Sequence, residues 1–195
     1  MKKLTLSLLM SLGLVGSTFA GQEMASGKEY KQPPPEPTCF KDQELQLDIF
    51  GAYADGNRPH AGVIDEHAFG GGVGINYFFH RNIGVGVDAT WLYGGEKDGD
   101  RSNDGDTTYH NFSSSLIFRM PIDAICLAPY AFVGGGFHVD GAQWASAHAG
   151  VGLEYRIVPE RIGIFTDARF TYFGDRYGNG EQNNIMARAG VRFVF

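Results

Sequence analysis

From Glu44 to the last residue the chain alternates with a period of two, and one of the two faces this creates carries no charge. A two-residue period specifies β-strands, whose successive side chains point to opposite sides of a sheet. Every second residue reads Leu45, Leu47, Ile49, Gly51, Tyr53 in a first segment and Phe69, Gly71, Val73, Ile75, Tyr77, Phe79 in a second. The same step runs from Ile83 to Tyr93, Phe112 to Met120, Leu127 to Phe137, Ala147 to Ile157, Ile162 to Tyr172 and Ile185 to Phe195. At the chain's 19% of charged residues, roughly eight or nine charges would fall on these positions by chance. The opposite face holds Asp48, Asn76, Asp88, Arg119, Glu154, Arg156, Asp167, Arg169, Arg188 and Arg192, with many glycines between them.

Eight strands follow, at approximately 44–54, 67–79, 83–94, 109–120, 126–138, 147–157, 162–173 and 184–195. Helix-period stripes are missing from this region, so it reads as all-β. The connections alternate: 80–82, 121–125 and 158–161 are short, whereas 55–66, 95–108, 139–146 and 174–183 are long and rich in Gly, Asp, Asn and Glu. Tight turns on one rim and long loops on the other suit an up-and-down antiparallel barrel that crosses a membrane.

Polarity decides which face meets lipid. A soluble sandwich also alternates, but its apolar face points inward. Here the apolar face is tipped with aromatic residues at both ends. Tyr53, Trp91, Tyr93, Phe112, Phe137 and Tyr172 adjoin the long loops, and Tyr77, Phe79, Tyr155, Phe193 and Phe195 adjoin the short turns. Two such girdles, separated by about one bilayer of strand, match the headgroup zones that amphipathic rings prefer. Apolar side chains therefore face lipid and charges face the lumen. Open sheet edges cannot survive in hydrocarbon, so the eighth strand must pair with the first. Eight strands enclose a space that side chains fill. Four acids (Asp48, Asp88, Glu154, Asp167) and five arginines (Arg119, Arg156, Arg169, Arg188, Arg192) in that space are expected to pair, because an unpaired buried charge is costly. In the fifth strand, Tyr130 and Phe132 then point inward as filler.

The N-terminus sets the compartment. Lys2 and Lys3, the apolar run Leu4 to Val15, and Thr18-Phe19-Ala20 form a secretory signal peptide over 1–20. Residues 21–43, with Pro33-Pro34-Pro35 and Pro37, read as an extended periplasmic segment, and 44–195 as the barrel. A net charge of −6 and the lack of a basic patch argue against nucleic acid. Cys39 and Cys126 are the two cysteines, and pairing is common in an oxidising compartment. Cys39 precedes the first strand, Cys126 opens the fifth, and these strands face each other across an eight-stranded barrel. A disulfide across the periplasmic mouth is expected, the alternative being two separate thiols.

The signal peptide, the Pro-Tyr-Ala-Phe-Val-Gly-Gly-Gly-Phe run at 129–137 and the ending Ala189-Gly190-Val191-Arg192-Phe193-Val194-Phe195 resemble small outer-membrane barrels of the OmpA/OmpX and opacity type. The resemblance covers roughly residues 44–195 and is architectural. It implies location in the cell outer membrane, contact with outer-membrane lipids, a monomer, and a C-terminal signal ending at Phe195 that the barrel-assembly machinery reads. No peptidoglycan-binding domain of the kind some members carry is expected after the barrel, and the Pro-rich lead is atypical.

Candidate chemistry is sparse. His110 with Ser113 to Ser115 is the nearest approach to a serine hydrolase, but His110-Asn111-Phe112 lacks the His-x-Ser-Asn pattern of the deacylase barrels. His138 and His148 would face each other across a hairpin centred near Gln143, two ligands without a third. The glycine clusters at 70–72, 84–86 and 134–136 open no helix and so are not phosphate loops. The 95–108 loop carries Glu96, Asp98, Asp100, Asp104 and Asp106 without the spacing of a calcium loop. No enzyme, cofactor or metal is expected. The expected function is a structural or envelope role with a filled lumen. The alternatives are an adhesin or ligand-binding barrel acting through its loops, and a lipid-modifying enzyme.

Overall fold

A computed structural model describes residues 38–56, 67–94, 108–140, 142–175 and 181–195. The signal peptide, most of the Pro-rich lead and most of the acidic 95–108 loop lie outside the described residues. Eight strands run in order: β1 (Glu44–Gly56), β2 (Ala68–His80), β3 (Ile83–Gly94), β4 (Thr108–Arg119), β5 (Leu127–Asp140), β6 (Ala142–Val158), β7 (Ile162–Asp175) and β8 (Glu181–Val194). Each pairs antiparallel with its neighbour in the chain, and β8 returns to β1 to close the barrel. The closing seam sets Asp48 beside Arg192 and Ile49 beside Val191. Leu45 and Phe195 exchange backbone hydrogen bonds at its end, so the final residue completes the seam. No sheet edge is left to hydrocarbon.

The faces divide as the alternation requires. Val73, Ile75, Val85, Val87, Leu116, Phe118, Val133, Val151, Ile164 and Val191 are exposed on the outer wall. Tyr93, Phe112, Phe137 and Tyr172 stand exposed toward the loop rim, and Tyr77, Phe79, Tyr155 and Phe195 toward the short-turn rim. Tyr53, Trp91 and Phe193 occupy the same outer face with partial exposure. In β5, Tyr130 and Phe132 are buried inside. This inverted polarity, apolar outside and ionic inside, is that of a transmembrane β-barrel.

One connection differs from expectation. The β5–β6 ladder continues through Val139↔Gln143 to Asp140↔Ala142, so most of the expected loop 139–146 is paired strand. The physical reason lies in the pairing itself, since Val139 carries on the outward alternation of β5 and gives the strand a further apolar residue to set against lipid. The last outer connection is likewise shorter than expected, because β7 extends to Asp175 and β8 begins at Glu181. Among the short turns, that between β4 and β5 contains a 3-10 turn over Asp123–Ile125, ending at Cys126 in a left-handed conformation (φ 52°).

Candidate functional site in the barrel lumen

The lumen is built in layers. At the short-turn end, Glu44 Oε1 accepts hydrogen bonds from Arg119 Nη1 at 2.9 Å, Arg156 Nη2 at 2.5 Å and Gln46 Nε2 at 2.5 Å. Glu154 pairs with Arg156 at 2.6 Å, Arg192 at 2.5 Å and Arg119 at 3.6 Å. Arg192 also grips Asp48 with two parallel bonds of 2.7 Å, and Asn76 donates to the same carboxylate at 2.8 Å. Three carboxylates and three guanidinium groups thus form one cluster without net charge.

A second cluster lies further along the axis. Arg188 forks onto Asp167 at 2.7 and 2.8 Å, and Tyr130 donates its hydroxyl to that carboxylate at 2.9 Å. Arg169 binds Asp88 at 2.7 and 3.2 Å and Ser113 Oγ at 2.9 Å, while Arg188 reaches Asp88 at 3.5 Å. Two acids and two arginines again cancel. Paired forks of this kind recover part of the cost of taking such charges out of water.

Aromatic rings separate the ionic groups and lie against their flat faces. Arg119 stands 3.8 Å from the Phe78 ring centre, Arg192 4.7 Å from Phe165 and Arg188 5.0 Å from Phe50. Gly152 makes room for Tyr130: a Cβ there would stand 2.5 Å from the ring carbon bearing the hydroxyl. Toward the loop rim the filling becomes apolar, with Leu92, Met186, Ala54 and Ala68 buried beside Tyr109. Tyr109 stacks on His138 at 4.4 Å, and Phe173 meets both rings edge-on.

All nine charges named from the sequence face this interior and join the two clusters. Glu44 is a member that reasoning from the sequence missed, although its register with Gln46 and Asp48 was available. With it, five acids and five arginines among the described residues meet in the lumen, where four and five were expected.

The candidate chemical groups separate. His110 lies on the outer face beside Trp91, whereas Ser113 and Ser115 point inward, so the wall divides them. Ser114 shares the outer face with His110 but lies four residues along the strand, about 13 Å away. His138 and His148 are both buried inside but do not face each other across the hairpin: their partners are Trp144 and Gly134, because the ladder is centred between Asp140 and Ala142 and not near Gln143. His148 Nε2 instead meets Ser115 Oγ at 2.8 Å in the buried wall. Among the described residues, no group of three or more His, Cys, Asp or Glu could hold a metal ion.

Residues 38–43 form a strap at the short-turn mouth, where the expected disulfide holds the end of the lead segment, and Phe40 is the part of it that has no signal in the sequence. Cys39 and Cys126 are joined by a disulfide, their Cα atoms 5.4 Å apart. Cys39 and Phe40 are each 1% exposed. The Phe40 ring caps Arg119 and Arg156 at 4.8 and 5.0 Å. Cys39 N donates to Asp123 Oδ1 at 3.1 Å, Arg81 pairs with Asp123 at 2.5 Å, and Arg81 N donates to Asp42 at 2.6 Å. Lys41 forms an ion pair with Glu160.

No protein family and no curated protein sequence matches the chain. Solved structures do. Neisserial surface protein A superimposes with a TM-score of 0.61 at 15% identity, covering 76% of this chain and 96% of that one. The N-terminal β-barrel domain of Pseudomonas aeruginosa OprF gives 0.53 at 18% identity, over 80% of this chain and 99% of the domain. Ail, the attachment invasion locus protein of Yersinia pestis, gives 0.51 at 21%, over 78% and 99%. What is shared at these identities is the fold, that of the small eight-stranded outer-membrane barrels.

Proposed function

We propose that this chain is a non-conducting structural protein of the outer membrane, a monomer solvated by outer-membrane lipids, with no cofactor and no catalytic centre. The observation that carries the reading is the charge-neutral, ring-packed lumen, in which five carboxylates and five guanidinium groups occupy the space an aqueous path would need. An ion entering such an interior would have to break paired, desolvated charges. The apolar wall and its girdles supply the lipid contact, and the seam closed by Phe195 suits a C-terminus that the assembly machinery reads.

Planar bilayers containing the refolded protein test this directly. Silence at moderate voltage is expected, and a steady open state refutes the filled lumen. In the host bacterium, deletion is expected to raise sensitivity to detergents without changing lipid A composition. An altered lipid A mass spectrum would point instead to an enzyme. A second reading, adhesion, draws on the acidic composition of the 95–108 loop and on the fold shared with Ail. Deleting that loop separates the two: lost binding to host cells with an intact envelope favours adhesion.

A further inference from the structure

The strap across the periplasmic mouth poses a problem of order. Forming Cys39–Cys126 requires a dithiol exchange with an external disulfide. One cysteine thiolate attacks a sulfur of the oxidant, making a mixed disulfide and expelling one oxidant thiolate. The second cysteine thiolate then attacks the chain's own sulfur, closing the bond and expelling the other. Two protons leave the cysteines and two electrons reduce the oxidant to its dithiol.

Each attack needs a third sulfur in line with the bond, and the docked strap takes Cys39 out of its reach, leaving the partly buried Cys126 as the one sulfur open to approach. Cys39 is 1% exposed and packs against Phe40 and Ala128, which are 1% and 0% exposed. The backbone oxygen of Asp123 lies beside both sulfurs, 3.7 Å from Cys39 Sγ and 3.8 Å from Cys126 Sγ. The contacts that dock the strap do not depend on the bond. Phe40 under two guanidinium groups, Cys39 N on Asp123 and Lys41 on Glu160 are all made without either sulfur atom.

We propose that the chain is oxidised by a periplasmic disulfide oxidant while its strap is undocked, and that docking then buries Cys39 and slows exchange at the bond in either direction. The two cysteines are the only ones in the sequence, so oxidation of the open chain has no wrong partner to find. The bond spans 87 residues and encloses β1 to β4, so a chain oxidised early reaches membrane assembly with half its strands in a closed loop.

The experiment uses the mature chain, reduced, either unfolded in urea or folded in detergent micelles, with oxidised glutathione as the oxidant. A maleimide gel shift counts thiols over time, and a single-cysteine peptide corrects for urea. The unfolded chain is expected to form the bond about tenfold faster or more than the folded one. Phe40→Ala, checked for folding by gel mobility, is expected to raise the folded rate most of the way to the unfolded rate. The proposal is overturned if the folded reduced protein closes the bond as fast as the open chain, or if Phe40→Ala leaves the folded rate unchanged. It is equally overturned if dithiothreitol reduces the folded, oxidised protein as quickly as the unfolded one.

Discussion

Replacing Arg192 by Met removes the arginine that joins two carboxylates while keeping most of its volume. Three charge-assisted bonds vanish, two to Asp48 at 2.7 Å and one to Glu154 at 2.5 Å. Asp48 retains the bond from Asn76, and Glu154 retains Arg156 and a longer contact with Arg119. The cluster of three acids and three arginines becomes three against two, with one negative charge uncompensated inside the barrel. Stranding a buried charge costs about 3–5 kcal/mol, which is about two to four powers of ten in the ratio of folded to unfolded protein. The second substitution, Asp48→Asn, removes the excess charge at the position directly across the seam. The double variant is expected to be more stable than Arg192→Met alone, with a coupling of about 2 kcal/mol. Urea unfolding in lipid vesicles, followed by tryptophan fluorescence and gel mobility, measures all four corners of the cycle. A cost below about 1 kcal/mol for Arg192→Met, or a double variant no better than the single, would refute the reasoning.

Other outcomes follow from the wall and the packing. Val87→Arg, near the middle of β3 on the lipid face, should cost about 2–4 kcal/mol in vesicles, while Met120→Arg at the short-turn rim should cost about 0–1. Equal effects at the two depths would contradict a lipid-facing wall. Gly152→Ala should push Tyr130 off Asp167 and lower stability by about 1–3 kcal/mol, read as a shift in urea midpoint; an unchanged midpoint would mean that the ring has other room. In planar bilayers, Arg192→Met should raise the frequency of brief openings above the silent parent, since a vacated guanidinium site beside two acids admits water and cations.

The faces of the strands were legible because alternation is local, and it carried even through β5, where Tyr130 and Phe132 look misplaced until the lumen needs filling. Which acid meets which arginine was not legible. Arg169 meets Asp88 and Arg119 meets Glu44 across the interior, and those meetings depend on strand tilt and stagger, which no short stretch of sequence encodes. Glu44 heads its strand, where alternation has barely begun, and its two-residue spacing from Gln46 and Asp48 is the one sign that it points inward. The β5–β6 connection is shorter than the sequence suggests because Asp140, Gly141 and Gln143 are polar or small, as loop residues are, and composition alone does not show the pairing that runs on to Asp140 and Ala142. Phe40 was hidden for another reason. A single aromatic residue among polar neighbours has no period, so nothing local distinguishes a plug from a linker.

The disulfide also determines where tension goes. A pull on the chain ahead of Cys39, without that bond, would load the first pairs of β1 alone and peel it from β2 and β8 one rung at a time, as a zipper opens from its end. With the bond, the load leaves the chain at Cys39, crosses to Cys126 and enters β5, which stands on the far side of the cylinder and is held between β4 and β6. The seam where the barrel closes is thereby relieved of the force that would open it.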